Sequence, residues 1–182
     1  LANVSRNEQE TEAVDESQTT ETENKITLDA SGNAAAGDQS TENKTAEPST
    51  LDELFGGENL SVTYTGAEIA ANYMEGGYYS LDAEQGKTFV IVGIDITNSG
   101  ADEIAIDNFA KTPKFSVMVN GQEKAEEENT ILPSDFALYQ ETVPAGVTEN
   151  TILLFQVPDS VTSVDSLDLF VNISGTNYQI TL

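Results

Sequence analysis

From Leu60 to the last residue, Leu182, the apolar side chains recur at every second position, a period that fits strands and excludes amphipathic helices. Leu60, Val62 and Tyr64 alternate with Ser61 and Thr63, and after Gly66 the apolar set moves to Ala67, Ile69, Ala71 and Tyr73. A slip of one residue turns every side chain to the opposite face, so this shift of parity requires a β-bulge near Thr65-Gly66. Lys87 to Asn98 carries Val90, Val92, Ile94 and Ile96 on one face and Phe89 and Ile91 on the other. A strand apolar on both faces belongs in the middle of a sheet.

The remaining strands follow by the same reading. Ile104 and Ile106 mark a short one; Phe115, Val117 and Val119 mark another, closed by the tight-turn dipeptide Asn120-Gly121. Gln122 to Asn129 is too polar for a core strand and is expected at an edge or in a loop. Phe136 to Val143 is expected to form a strand, with Pro144-Ala145-Gly146 as its turn. Thr151 to Val157 is nearly continuous in Ile, Leu, Phe and Val and stops at Pro158-Asp159. Leu167, Leu169, Val171 and Ile173 then alternate cleanly, and Gly175 leads into Tyr178, Ile180 and Leu182. About seven or eight short strands separated by turn residues specify an all-β chain folded as an immunoglobulin-like antiparallel β-sandwich. The missing Cys and Trp argue against an antibody-type domain and leave the architecture intact.

The first 50 residues obey different physics. All thirteen aromatic residues lie at or after Phe55, and residues 1–50 hold eleven acidic residues against Arg6, Lys25 and Lys44. Such a segment cannot bury enough apolar surface to offset a backbone ordering cost of about 1–2 kcal/mol per residue. Residues 1–50 are therefore expected to be a disordered acidic spacer, and residues 58–182 the sandwich. Between them Thr50-Leu51-Asp52-Glu53 has the spacing of a capping box, followed by Leu54, Phe55 and the stop Gly56-Gly57, so 51–57 is expected to form a short helical turn.

The net charge of −25 opposes phosphate backbones and anionic headgroups, which disfavours nucleic acid and direct membrane-surface binding. With no Cys and no His, thiolate metal sites and the Ser-His-Asp and Cys-His catalytic arrangements are excluded. No Ser-x-x-Lys spacing lies in the sandwich portion, and Gly56-Gly57 and Gly76-Gly77 lack the further glycines and Lys of a phosphate loop. Catalysis would have to rest on a pair of carboxylates, and 21 acids guarantee some pair by chance. The expectation is a non-enzyme without a cofactor.

Calcium is the one metal the composition suits, because it takes clustered oxygens. The candidate ligands are Asp102 and Asp107 with the Asn98–Asp102 loop, Asp159 with Asp165, and Glu126-Glu127-Glu128; none has the spaced ladder of an EF-hand loop. Solvated acidic loops are the competing reading. Tyr73, Tyr78 and Tyr79 surround Gly76-Gly77 and form a candidate contact patch for peptide or sugar, although two of the three are expected to pack inward at the edge of the core.

Gly86-Lys87-Thr88-Phe89 leading through Val90-Ile91-Val92 to Ile96-Thr97-Asn98 resembles a bacterial extracellular domain family of unknown function. Ala145-Gly146 before Phe155-Gln156-Val157-Pro158-Asp159, and Ser166-Leu167-Asp168-Leu169, fit the same family, so the resemblance covers roughly Leu60 to Leu182. It implies the sandwich of a small secreted immunoprotective antigen and of telokin. Many such domains occur in Gram-positive lipoproteins, downstream of a lipidated Cys and a polar linker. The resemblance thus implies an envelope or secreted location, with an unknown protein or cell-wall ligand as partner and the membrane reached only through a lipid anchor. The chain begins at Leu1 without Met or Cys, so an export signal and anchor are expected upstream. The family's motifs mark strands and turns and carry over no site residue.

Overall fold

The computed structural model describes residues 45–122 and 124–182, so the spacer expected over residues 1–50 lies almost wholly outside the described residues. The strands run in chain order as β1 (Glu47–Ser49), β2 (Leu60–Ala70), β3 (Asn72–Glu75), β4 (Tyr79–Asp82), β5 (Lys87–Asn98), β6 (Ile104–Ala105) and β7 (Lys114–Val119). They continue as β8 (Lys124–Glu126), β9 (Thr142–Val143), β10 (Thr148–Pro158), β11 (Leu167–Ile173) and β12 (Thr176–Ile180). One helix, α1 (Leu51–Phe55), precedes β2.

Two sheets face each other: a five-stranded one in the order β1-β12-β11-β7-β8 and a three-stranded one in the order β10-β5-β2. The fold is the expected antiparallel β-sandwich, with β5 at the centre of its sheet. Among the named strands of the described residues, β1 alone pairs in parallel, with β12 through Glu47–Ser49. That strand lies inside the stretch assigned to the spacer from composition. Glu47, Pro48 and Ser49 carry no strand pattern, and it is the open edge of β12 that orders them.

The bulge falls where the change of parity requires it. The register of β2 on β5 shifts between Tyr64 and Gly66. Gly66 sits at φ 139°, a backbone conformation that L side chains rarely adopt. As a result Leu60, Val62 and Tyr64 before the bulge, and Ala67 and Ile69 after it, all pack on one core with Val90, Val92, Ile94 and Ile96 of β5. The other sheet supplies Phe115, Val117, Leu169 and Val171 to the same core.

The capping box is present in α1: the Glu53 N–H donates to Thr50 Oγ1 at 3.1 Å, and the Thr50 N–H donates to Glu53 Oε2 at 3.0 Å. The turn buries Leu51 and Phe55. The Phe55 ring meets Phe136 edge-on at 4.9 Å and stacks on Phe115 at 5.8 Å. Lys111 closes the helix C-terminus, donating to the Leu54 carbonyl at 2.6 Å with its ammonium 4.8 Å from the Phe55 ring centre.

Behind the three-stranded sheet lies a second, smaller core of Phe89, Ile91, Leu132 and Leu154, against which Tyr73 and Leu81 pack. This explains why β5 is apolar on both faces. The β3–β4 hairpin and the loop through residues 130–138 form a partial third layer there. Phe136 to Val143 is not the strand its composition suggests: only β9 is extended, pairing with β6. The Asp135 carboxylate accepts the Ala137 N–H at 3.0 Å and turns the chain. Phe136, Ala137 and Tyr139 are then buried without alternation.

Candidate functional site

The three tyrosines of the candidate patch lie on the β3–β4 hairpin, and one of them turns inward, not two. Tyr73 pairs with Leu81 across the hairpin and packs into the second core. Its hydroxyl stands 3.4 Å from Ser134 Oγ, and burial, before the nearby Glu75 charge, raises its pKa. Tyr78 is 94% exposed, and Tyr79 and Met74 are 41% and 66% exposed. The local cause is the turn: Gly76 and Gly77 both take positive φ, at 58° and 74°, which forms the tight reversal and throws Tyr78 out of the ladder. Met74 was not singled out from sequence; its alternation with the inward Tyr73 was the available signal.

The hairpin is held from below by the 130–138 loop. Ser134 donates to Glu75 Oε2, so one hydroxyl engages both Tyr73 and Glu75. The hairpin base closes through the Ala83 N–H donating to Ala71 O at 2.9 Å, and Glu84 N–H donates to Gln156 Oε1 at 2.7 Å. Ile131, 86% exposed, lies on the same loop three residues before Ser134.

Asp135, the next residue, forms the least expected feature of the molecule. Its carboxyl is buried beside that of Glu127, within hydrogen-bonding reach. Thr130 Oγ1 donates to Asp135 Oδ2 at 2.5 Å and Ala137 N–H donates to Oδ1. Glu127 Oε1 is buried without a hydrogen-bond partner among the described residues. Burial, reinforced by the Asp135 charge, pushes the Glu127 carboxyl up to about 9, and burial likewise raises Asp135. At neutral pH the Glu127 carboxyl therefore keeps its proton. A carboxyl pair of this kind has the electrostatics of an acid–base dyad. However, the oxygens of Asp135 are engaged by Thr130 and Ala137, and the free oxygen of Glu127 is closed to solvent. Nothing in the sequence marks this pair, since a separation of eight residues in a polar stretch says nothing of burial.

The suggested calcium ligands do not converge. Asp107 Oδ1 accepts from Ala110 N–H and from Gln140 Nε2, both at 2.9 Å, which lowers its pKa. In the Asn98–Asp102 loop, Asn98 Oδ1 is taken by the Gly100 N–H at 2.8 Å and Nδ2 donates to the carbonyls of Asp102 and Val143. The terminal Asn of the resemblance thus staples a loop. Asp165 Oδ2 accepts from Ser163, and the Asp165 N–H is held by Asn120; Asp159 is exposed on the same β10–β11 connection. Among the described residues no three acidic side chains gather into a group that could hold a metal ion, and no helix is long and apolar enough to cross a membrane.

No family model and no curated protein matches the chain. Among solved structures it is similar to an uncharacterized β-sandwich protein of Clostridium difficile 630, at 18% identity and TM-score 0.43, over 68% of this chain and 85% of that one. It is similar to a conserved hypothetical protein of Bacillus anthracis at 11% identity and TM-score 0.38, over 69% and 89% of the two chains. A third, from Bacillus subtilis and named as a candidate lipoprotein, is 11% identical with TM-score 0.36, over 68% of this chain and 36% of that one. What the chain's own geometry establishes is an all-β sandwich that carries an aromatic-tipped hairpin on a buttressed outer layer.

Proposed function

We propose that the chain is a non-enzymatic binding module of the cell envelope or secreted space, and that it meets a protein or cell-wall ligand through the tip of the β3–β4 hairpin. The observation that carries this reading is the pairing of exposure with anchorage. Met74, Tyr78 and Tyr79 face solvent while Tyr73 and Leu81, on the same two strands, are packed into a core. Aromatic side chains presented on a rigid base lose little freedom on binding and dominate contact energies. The acidic stretch preceding the sandwich supplies reach, and an upstream lipid anchor supplies attachment; no cofactor enters. The absence of His and Cys and the closed acid pair both favour binding over catalysis.

The test is quantitative binding of the full chain to purified envelope fractions, wild type against the Tyr78→Ala/Tyr79→Ala variant. Each truncated contact aromatic is expected to cost about 1–2 kcal/mol, a loss of at least about tenfold, with an unchanged melting temperature. Equal retention of the two proteins would remove the hairpin from the account.

A further inference from the structure

Beside the β3–β4 hairpin part of the outer face of the three-stranded sheet is left bare, and a groove of about 350 Å³ opens there at Tyr73. Its floor follows from the register. Glu68 pairs with Ile91, Gly66 with Gly93, and Gly93 with Ile152, so a row with two glycines crosses the sheet next to Ile91. No side chain rises from either glycine to fill that row. Only Thr65, at the bulge, leans over it, with its hydroxyl where a methyl on Gly93 would stand. Ile91 and Ile152 remain as an apolar floor, and Tyr73, packed against the second core, forms one wall.

The rim of this groove is acidic. Glu68 lines it and is exposed. Asp95 follows Gly93 by two residues on the same face of β5. It accepts from Asn150 Nδ2 at 2.7 Å through Oδ1, and its side chain holds no other partner among the described residues. After burial, the charges of Glu75 and Glu68 both oppose ionisation of the Tyr73 hydroxyl, so these two carboxylates stand near it. No described cation answers them. Lys87 is paired with Glu84 at 2.6 Å, and Lys111 is spent on the Leu54 carbonyl. Lys114 and Lys124 belong to β7 and β8 of the other sheet.

We infer that this groove receives a lysine or arginine side chain of a protein partner, its stem on Ile91 and Ile152 and its cationic head at Glu68, in the field of Asp95 and Glu75. A long basic side chain suits such a place, because its stem gains from apolar contact while its head stays at a wet, acidic rim. A metal ion is disfavoured, since no three acidic side chains gather among the described residues. An anionic polymer is repelled. The inference deepens the hairpin reading, on which it rests for the partner's approach: what meets the aromatic tip presents a basic side chain to the groove beside it.

The probe is N-acetyl-Ala-Lys-Ala-amide, against the same peptide with norleucine in place of lysine, titrated into the ¹⁵N-labelled full chain. The lysine peptide is expected to shift the backbone signals of Gly66, Glu68 and Gly93 saturably, and to bind less well as salt is raised. The norleucine peptide keeps most of the stem and is expected to bind about fivefold more weakly, the upper range for a part-exposed ion pair. Glu68→Gln is expected to remove the preference for lysine, and Asp168→Asn, on the outer face of the other sheet, to preserve it. Glu68→Lys sets a cation at the groove from an exposed position, and is expected to abolish the shifts with the melting temperature near that of wild type. Equal binding of the two peptides, shifts mapping to other acidic surfaces, no shifts, or a lysine preference that survives Glu68→Gln would each overturn the inference. The Tyr78→Ala/Tyr79→Ala variant leaves the groove whole. Failure at the groove, with envelope retention still lost in that variant, overturns this inference alone; the reverse pair of results overturns the hairpin reading alone.

Discussion

Glu127 gives the domain an unusual response to pH. In the unfolded chain its carboxyl ionises near 4.5, whereas in the fold burial beside Asp135 holds it to about 9. The folded state then binds more protons than the unfolded one between those values, so this pair makes stability fall as pH rises through the window. The chain has no His and no Cys, so from about pH 6 to 8.5 no other side chain with an ordinary pKa titrates. Denaturant unfolding at several pH values in that window is expected to show stability declining with pH, by at most about 1.4 kcal/mol per unit for one group. Glu127→Gln is expected to flatten the slope and to be the more stable protein at pH 8. A flat wild-type profile would contradict a protonated Glu127. Lys111 gives a second check at this scale. Lys111→Met keeps the stem but removes the hydrogen bond to Leu54 and the charge over Phe55, with an expected cost of about 1–2 kcal/mol.

At the scale of elements, alternation was legible wherever one face of a strand is solvated, as in β2, β7 and β11. The parity change placed the bulge at Thr65-Gly66 because Gly66 alone among its neighbours tolerates φ 139°. Gly66→Ala is accordingly expected to cost about 1–3 kcal/mol from backbone strain, in a place where the added methyl meets open space. Alternation failed where side chains substitute for the ladder. Asp135 turns the chain and breaks the strand expected over Phe136–Val143, and β1 exists only because β12 offers an edge. The candidate site was half legible: the Gly-Gly turn and its tyrosines were visible, but which of them turned inward depended on the 130–138 loop, where Ser134 lies 61 residues from Tyr73. That dependence can be tested through amide exchange. Tyr73→Ala is expected to unlock the hairpin and collapse the protection of the Ala83 N–H, with that of β5 retained. Tyr73→Phe, which loses only the long contact with Ser134, is expected to leave it in place.

For the whole molecule, the account joins a sandwich sealed by aliphatic side chains to an outer layer that holds an exposed aromatic tip. The charge of −25 opposes phosphate backbones, and the exposed aromatic tip of the hairpin is where the proposed partner would gain most. The central claim is that recognition occurs there. It is tested most directly by placing a photo-crosslinking residue at Tyr78, or at Asn177 on the outer face of the other sheet, in full-length protein on intact cells. The account predicts one discrete adduct from position 78, suppressed by adding Met74→Ser, and none from position 177. Adducts from 177 alone, or the same adducts from both positions, would contradict it.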